Sequence, residues 1–77
     1  MEQVMEKAVE QIQIMVNGEK RDVAANATIA KLLERLEIVG GRIAVERNLE
    51  IVPRSSFDAL HLQEGDRLEI VHFVGGG

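Results

Sequence analysis

The sequence contains no cysteine, no tryptophan and no tyrosine, and only two phenylalanines and one proline. Without a thiol there is no disulfide, no cysteine-ligated zinc or iron–sulfur cluster, no thiolate nucleophile and no side chain on which sulfur could be held. Aromatic residues make up 3% of the chain, which leaves no stacking platform for bases. Positive charge is also short: nine Lys+Arg against thirteen Asp+Glu give a net charge of −4. Phosphate binding draws its affinity from a basic face, so nucleic acid is not an expected partner. No apolar run approaches the roughly 20 residues of a membrane span, and no signal peptide is recognised. A soluble, cytoplasmic protein with no membrane partner is expected.

What is present is one small domain. A chain of 77 residues hides only about 60 to 65% of its unfolded surface on folding, so its core is thin and a closed substrate pocket would consume much of it. No G-x-x-x-x-G-K-[ST] loop is present to cradle ATP. His61, His72, Ser55 and Ser56 are the histidines and serines, and a domain of this size has little room for a base, a nucleophile and an oxyanion hollow together. No catalytic residue and no metal site are expected. The carboxylates read as a solvated face, with Glu64 and Asp66 explained by a turn.

Residues 1–11 form a polar leader, frayed or a short helix. Order begins at Ile12, where Ile12, Ile14 and Val16 alternate with polar or flexible residues and predict a strand with one buried face. Asn17-Gly18 then predicts a tight hairpin into a second strand from Glu19 to Ala24. Thr28 is a candidate N-cap, and Ile29, Leu32, Leu33 and Leu36 recur at helical spacing. The helix is expected to stop by Gly40-Gly41. Alternation returns over Arg42 to Arg47, with a turn at Asn48 and a short strand from Leu49 to Val52 closed by Pro53. Phe57, Leu60 and Leu62 are candidate core plugs in an irregular segment. Glu64-Gly65-Asp66 is a turn, and Arg67 to Val74 is the last strand. One helix laid across one face of a mixed sheet of four to five strands is the economical packing, so the class is α+β over residues 12–74.

The sequence ends Val74-Gly75-Gly76-Gly77. A Gly-Gly pair at a terminus arises by chance in roughly 0.5% of sequences. Residues without Cβ can enter a narrow channel in any backbone conformation. A carboxylate at the end of such a tail can reach the α-phosphate of ATP in another protein's active site. The mixed anhydride formed there is open to a sulfur nucleophile, and the product is a terminal thiocarboxylate. Gly75 and Gly76 are then the reach, and Gly77 the modified residue. In the last strand Leu68 and Ile70 share the parity of the buried face, which turns Glu69, Val71 and Phe73 outward. Val71, Phe73 and Val74 are the expected partner-binding surface beside the tail. A monomer is expected, since no second large apolar face is evident.

Four segments carry a resemblance. The strand with Asn17-Gly18, the run Ile43-Ala44-Val45 leading to Ile51-Val52-Pro53-Arg54-Ser55, the segment from Leu62 to Val71, and the ending Val74 to Gly77 together resemble the ThiS family, the sulfur carriers of thiamine biosynthesis. One departure lies at Arg47-Asn48-Leu49-Glu50, where Asn-Gly is expected in this family. The resemblance implies a β-grasp, ubiquitin-like fold. It implies that an E1-like adenylyltransferase activates the Gly77 carboxylate with ATP and magnesium, the carrier itself binding no cofactor. Sulfur from a cysteine desulfurase and sulfurtransferase relay then makes the thiocarboxylate. Thiazole synthase is the implied recipient, using the sulfur to build the thiazole ring from deoxyxylulose phosphate and a glycine- or tyrosine-derived imine. Two neighbouring functions are weighed beside it: the small-subunit carrier of molybdopterin synthase, and a ubiquitin-like protein modifier joined through Gly77 to lysines.

Overall fold

The computed structural model describes residues 10–73. The chain runs through β1 (Gln11–Val16), β2 (Glu19–Ala24), α1 (Ile29–Arg35), β3 (Arg42–Arg47), β4 (Glu50–Ile51), a 3₁₀ turn (Arg54–Ser56) and β5 (Arg67–Phe73). The strands form one mixed sheet in the order β2-β1-β5-β3-β4, with β1 and β5 parallel and the other neighbours antiparallel. Class and element order are those read from the sequence. Of the leader over residues 1–11, residues 1–9 lie outside the described residues and Gln11 already pairs with Ala24 in β1; Val74 and the glycine tail also lie outside the described residues. Among the described residues no helix is long and apolar enough to cross a membrane.

Both hairpins close through the same two-residue turn. Asn17 and Gly18 take φ of 50° and 86°, and Asn48 and Leu49 take 51° and 73°. Positive φ at both central positions matches the right-handed twist of the flanking strands. Gly18 adopts it freely, whereas Leu49 holds it with a Cβ that crowds the following carbonyl. That turn shortens the expected fourth strand: Leu49 belongs to the turn, β4 is only Glu50–Ile51, and Val52 goes into the core.

The helix starts as expected and ends earlier. Thr28 Oγ1 accepts from the Lys31 N–H at 3.2 Å. Two further first-turn donors are met by the segment after β4, Ile29 N–H reaching the Leu60 carbonyl and Ala30 N–H the Phe57 carbonyl. Helix N-termini leave such N–H groups without partners of their own, so this loop completes a helix of seven residues. The end is set by Glu37, with φ 61°. Its N–H bonds to the Glu34 carbonyl and the Ile38 N–H to the Leu33 carbonyl, the arrangement of a left-handed helix cap usually built with glycine. Gly40 and Gly41 therefore shape the loop into β3 and do not terminate α1.

Ile29, Leu32 and Leu33 from α1 share one buried cluster with Ile14 and Val16 of β1, Val45 of β3, and Leu68 and Ile70 of β5. Phe57 and Leu62 close its end, as expected of them. The opposite sheet face has no covering element among the described residues. Among the described residues one face of the sheet is thus buried and the other open, with β5 in the middle.

Candidate functional site

The expected site is the root of the tail, and it is built on β5. Burial along this strand alternates strictly from Arg67 to Val71, with Leu68 and Ile70 inside. Val71 is 49% exposed and Phe73 58% exposed, both on the open face. Register sets their neighbours: Val71 stands opposite Ala44, and Phe73 opposite Arg42. Strand parity therefore places Val71 and Phe73 where the sequence suggested. Val74, Gly75, Gly76 and Gly77 lie outside the described residues.

Two asparagines fix the strand that leads to them. β1 ends at Val16, so beyond Leu68 there is no strand residue on that side to pair with β5. Asn17 fills the gap with its side chain: Oδ1 accepts from the Ile70 N–H at 2.7 Å, and Nδ2 donates to the Ile70 carbonyl at 3.1 Å. At the other flank Asn48 Oδ1 accepts from the Arg67 N–H at 3.0 Å, while its own N–H donates to the Arg67 carbonyl. The turn residues chosen for positive φ thus also hold β5 from both sides. His72 adds a tether near the tail, its Nε2 lying 2.9 Å from the Gly40 carbonyl.

Asp66 departs from its sequence reading. It is 5% exposed, the buried carboxylate of the described chain. Its Oδ2 accepts from the Gln63 N–H and from Arg47 Nε, both at 2.9 Å, and its Oδ1 accepts from Asn48 Nδ2 at 3.1 Å. The turn bond to Gln63 is local and follows from sequence. The bonds to Arg47 and Asn48 need the β3–β5 register, which local pattern does not supply. Asp66 ties the start of β5 to the end of β3, with three of its roughly four acceptor positions used inside the fold, so its role is structural.

The remaining chemical groups do not converge. His61 is exposed and forms an isolated bridge with Thr28, while His72 lies on the last strand. Among the described residues no three His, Asp or Glu side chains gather into a metal-binding cluster. What the described surface does offer is exposed apolar side chains, Val71 and Phe73, at the end of β5.

Comparison with known proteins gives a consistent picture. The ThiS family model matches residues 7–77. A thiazole synthase from Paramagnetospirillum magneticum is 47% identical over 66 residues, covering 86% of this chain and 20% of that protein. The sulfur carrier protein ThiS of Escherichia coli is 32% identical over 66 residues, covering 86% of this chain and 100% of the relative. The crystal structure of the thiamine biosynthesis protein ThiS from Geobacter metallireducens superposes with a TM-score of 0.72 at 33% identity, over 86% of this chain and 100% of that one. The chain spans only 20% of the length of the two thiazole synthases it matches.

Proposed function

The chain belongs to the ThiS family and has its β-grasp fold, and from that premise we propose that it is a sulfur carrier of thiamine biosynthesis working through the main-chain carboxylate of Gly77. An E1-like enzyme adenylates that carboxylate with ATP and magnesium. The outer sulfur of a persulfide on a cysteine desulfurase relay forms the new carbon–sulfur bond as AMP leaves, and a thiol then cleaves the acyl disulfide, freeing the thiocarboxylate and itself ending in a disulfide. The thiocarboxylate then gives its sulfur to thiazole synthase. The carrier supplies the handle and the docking surface, and its partners supply the catalysis, in the cytoplasm.

The observation that carries this reading is the course of β5. The strand runs through the middle of the sheet, is held on both sides, and reaches Phe73 only four residues before Gly77. A strand held up to Phe73 fixes the point from which the last four residues can reach, at most about 14 Å when fully extended. Support for the recipient comes from the relatives named thiazole synthase, in which the stretch similar to this chain is 20% of the protein. A carrier and its acceptor that share one polypeptide act on each other at high effective concentration.

The test is intact mass. Incubation with the organism's activating enzyme, ATP, magnesium and a sulfur donor is expected to add one oxygen-for-sulfur exchange to the chain, and deletion of Gly77 is expected to remove that gain. An unchanged mass with an activating enzyme competent on another carrier would refute the reading.

A further inference from the structure

The helix side of the sheet carries a groove between the end of β2 and α1. Its volume is about 260 Å³, and Val23, Ala24, Ala27 and Leu32 give it an apolar lining. That is below the roughly 300 Å³ at which small-molecule pockets begin, yet it leaves room for a few apolar side chains. Lys31, Glu34 and Arg35 line it as well and are exposed. Lys31 lies 3.9 Å from Glu34, whereas Arg35 has no acidic partner among the described residues. Arg21 precedes Val23 by two residues on β2 and so shares its face. Basic side chains therefore stand on both the strand side and the helix side of an apolar slot.

The leader supplies a match in sequence. At helical spacing Met1, Val4, Met5, Ala8 and Val9 fall within one arc of about 140°, and Glu2, Gln3, Glu6 and Lys7 fill the arc opposite. Glu2, Glu6 and Glu10 follow one another at i, i+4 spacing, so the polar side is mainly acidic where the groove is bordered by basic groups. The leader also joins the fold at the edge of the groove. Gln11 pairs with Ala24, a residue of the lining, and the Glu10 carbonyl accepts from the Ala25 N–H at 2.8 Å.

Register and size set the other occupants aside. β1 and β5 are parallel with Met15 beside Arg67, so Phe73 lies about ten strand positions, or about 33 Å, beyond Gln11. A helix over residues 1–9 is about 14 Å long and does not reach the exposed Val71 and Phe73. A second copy would bring together two chains of net charge −4, and a stable pair needs about 800 Å² per partner, far more than this slot offers. A tethered segment needs no such area, because its effective concentration is in the millimolar range. A nine-residue helix is marginal by itself in water, and an apolar slot beside its root is what stabilises it.

We infer that residues 1–9 form a short amphipathic helix that lies in the β2–α1 groove, with Val4, Met5, Ala8 and Val9 against its apolar lining and the glutamates toward Arg21, Lys31 and Arg35. The leader is then a brace at the end of the sheet remote from the tail, and this does not rest on the function proposed above. The lack of cysteine allows a clean test by magnetic resonance. A nitroxide on the single cysteine of a Lys7→Cys full chain is expected to broaden the amide signals of Ala24, Ala27, Lys31 and Arg35 and to leave those of Val71 and Phe73 sharp. Adding V4D/M5D to the labelled chain is expected to abolish that broadening, and V4D/M5D alone to melt about 4 to 8 °C below wild type. No broadening in the free chain leaves the groove to a partner protein and overturns the inference. Broadening at Val71 and Phe73 puts the leader on the open face and overturns it too. Broadening seen only between spin-labelled and isotope-labelled chains in a mixture assigns the groove to a second copy. A V4D/M5D chain that melts with wild type, or keeps the broadening, shows that the apolar side chains do not hold the leader, and the brace falls.

Discussion

The side-chain amide of Asn17 takes both main-chain hydrogen bonds of Ile70, accepting at 2.7 Å and donating at 3.1 Å across a sequence separation of 53 residues. It stands in for the strand residue that β1 no longer provides, so the hairpin turn and the root of the tail are one mechanical unit. Removing it leaves a strand N–H and C=O exposed to water beside the tail.

Replacing Asn17 by glycine separates this clamp from the turn, because glycine keeps the positive φ and loses only the amide. Asn17→Gly is expected to destabilise the domain by about 1 to 3 kcal/mol, the range for two lost bonds to partly buried groups. Asn17→Ala should cost about 1 kcal/mol more, from the Cβ at positive φ. Urea unfolding measures both, and hydrogen exchange should show faster opening at Ile70 in the glycine variant. Protection there equal to wild type would mean that the clamp does not hold the strand.

Asp66 is buried with Arg47 and two other donors. Breaking such a pair from one side strands what remains, at a cost of about 3 kcal/mol or more when both partners are buried. Arg47 is partly exposed and can turn to water once its partner is gone. Truncation of the carboxylate removes the acceptor for Gln63, Arg47 and Asn48 together, so Asp66→Ala is expected to cost more than Arg47→Ala. Chemical denaturation of the two variants checks the order, and the reverse order would show that the Arg47 stem, packed over the turn, is the larger contribution.

Besides Asn17 and Asn48, two positions hold a left-handed backbone without glycine, Glu37 at the end of α1 and Leu49 in the second hairpin. Side chains in that region cost about 1 to 2 kcal/mol relative to glycine, partly offset by the entropy glycine loses on folding. Glu37→Gly and Leu49→Gly are each expected to stabilise the domain, by about 0.5 to 1 kcal/mol net. Leu49 is 90% exposed, so its removal forfeits no packing, and thermal melts should show its gain clearly. A loss of stability at position 49 would mean that the leucine side chain makes contacts the strain argument leaves out.

These residues also mark how far the sequence could be read. The Asn-Gly hairpin, the Thr28 cap and the outward parity of Val71 and Phe73 were legible because each depends on neighbours a few residues away. The helix end was not, since glycines drew attention to positions 40 and 41 while Glu37 adopted the capping conformation. The Asn17 and Asp66 contacts depend on strand register across 18 to 53 residues. Alternation assigns a side chain to a face, and only the assembled sheet assigns it a neighbour.

Val71 and Phe73 can be removed with little effect on the fold, because exposed side chains away from caps and buried pairs usually change stability by less than about 0.5 kcal/mol. Val71→Ala with Phe73→Ala is therefore expected to melt near wild type. Its affinity for the partner enzymes should fall about 10-fold or more, as for anchors at the centre of an interface. Calorimetry with thiazole synthase and with the activating enzyme measures this. Wild-type affinity toward both would remove the tail-root patch from the docking surface.

The tail calls for a different logic, since its residues act by what they lack. If Gly76 must thread a channel in the activating enzyme, a single methyl at that position interferes with passage while leaving the folded domain untouched. Misplacing a reacting group by about 1 Å can lower a rate about 10²-fold. Gly76→Ala is expected to slow thiocarboxylate formation by up to that factor, and Gly76→Leu to abolish it, both without change in thermal midpoint. Added length tests the same idea from the other side: one alanine appended after Gly77 supplies a carboxylate but moves it beyond the phosphate it must attack. Mass spectra over time should show slow or no sulfur gain for the extended chain. Loading of the extended chain at the wild-type rate would mean that any accessible terminus suffices, and the reading of the glycines as a fitted reach would fall.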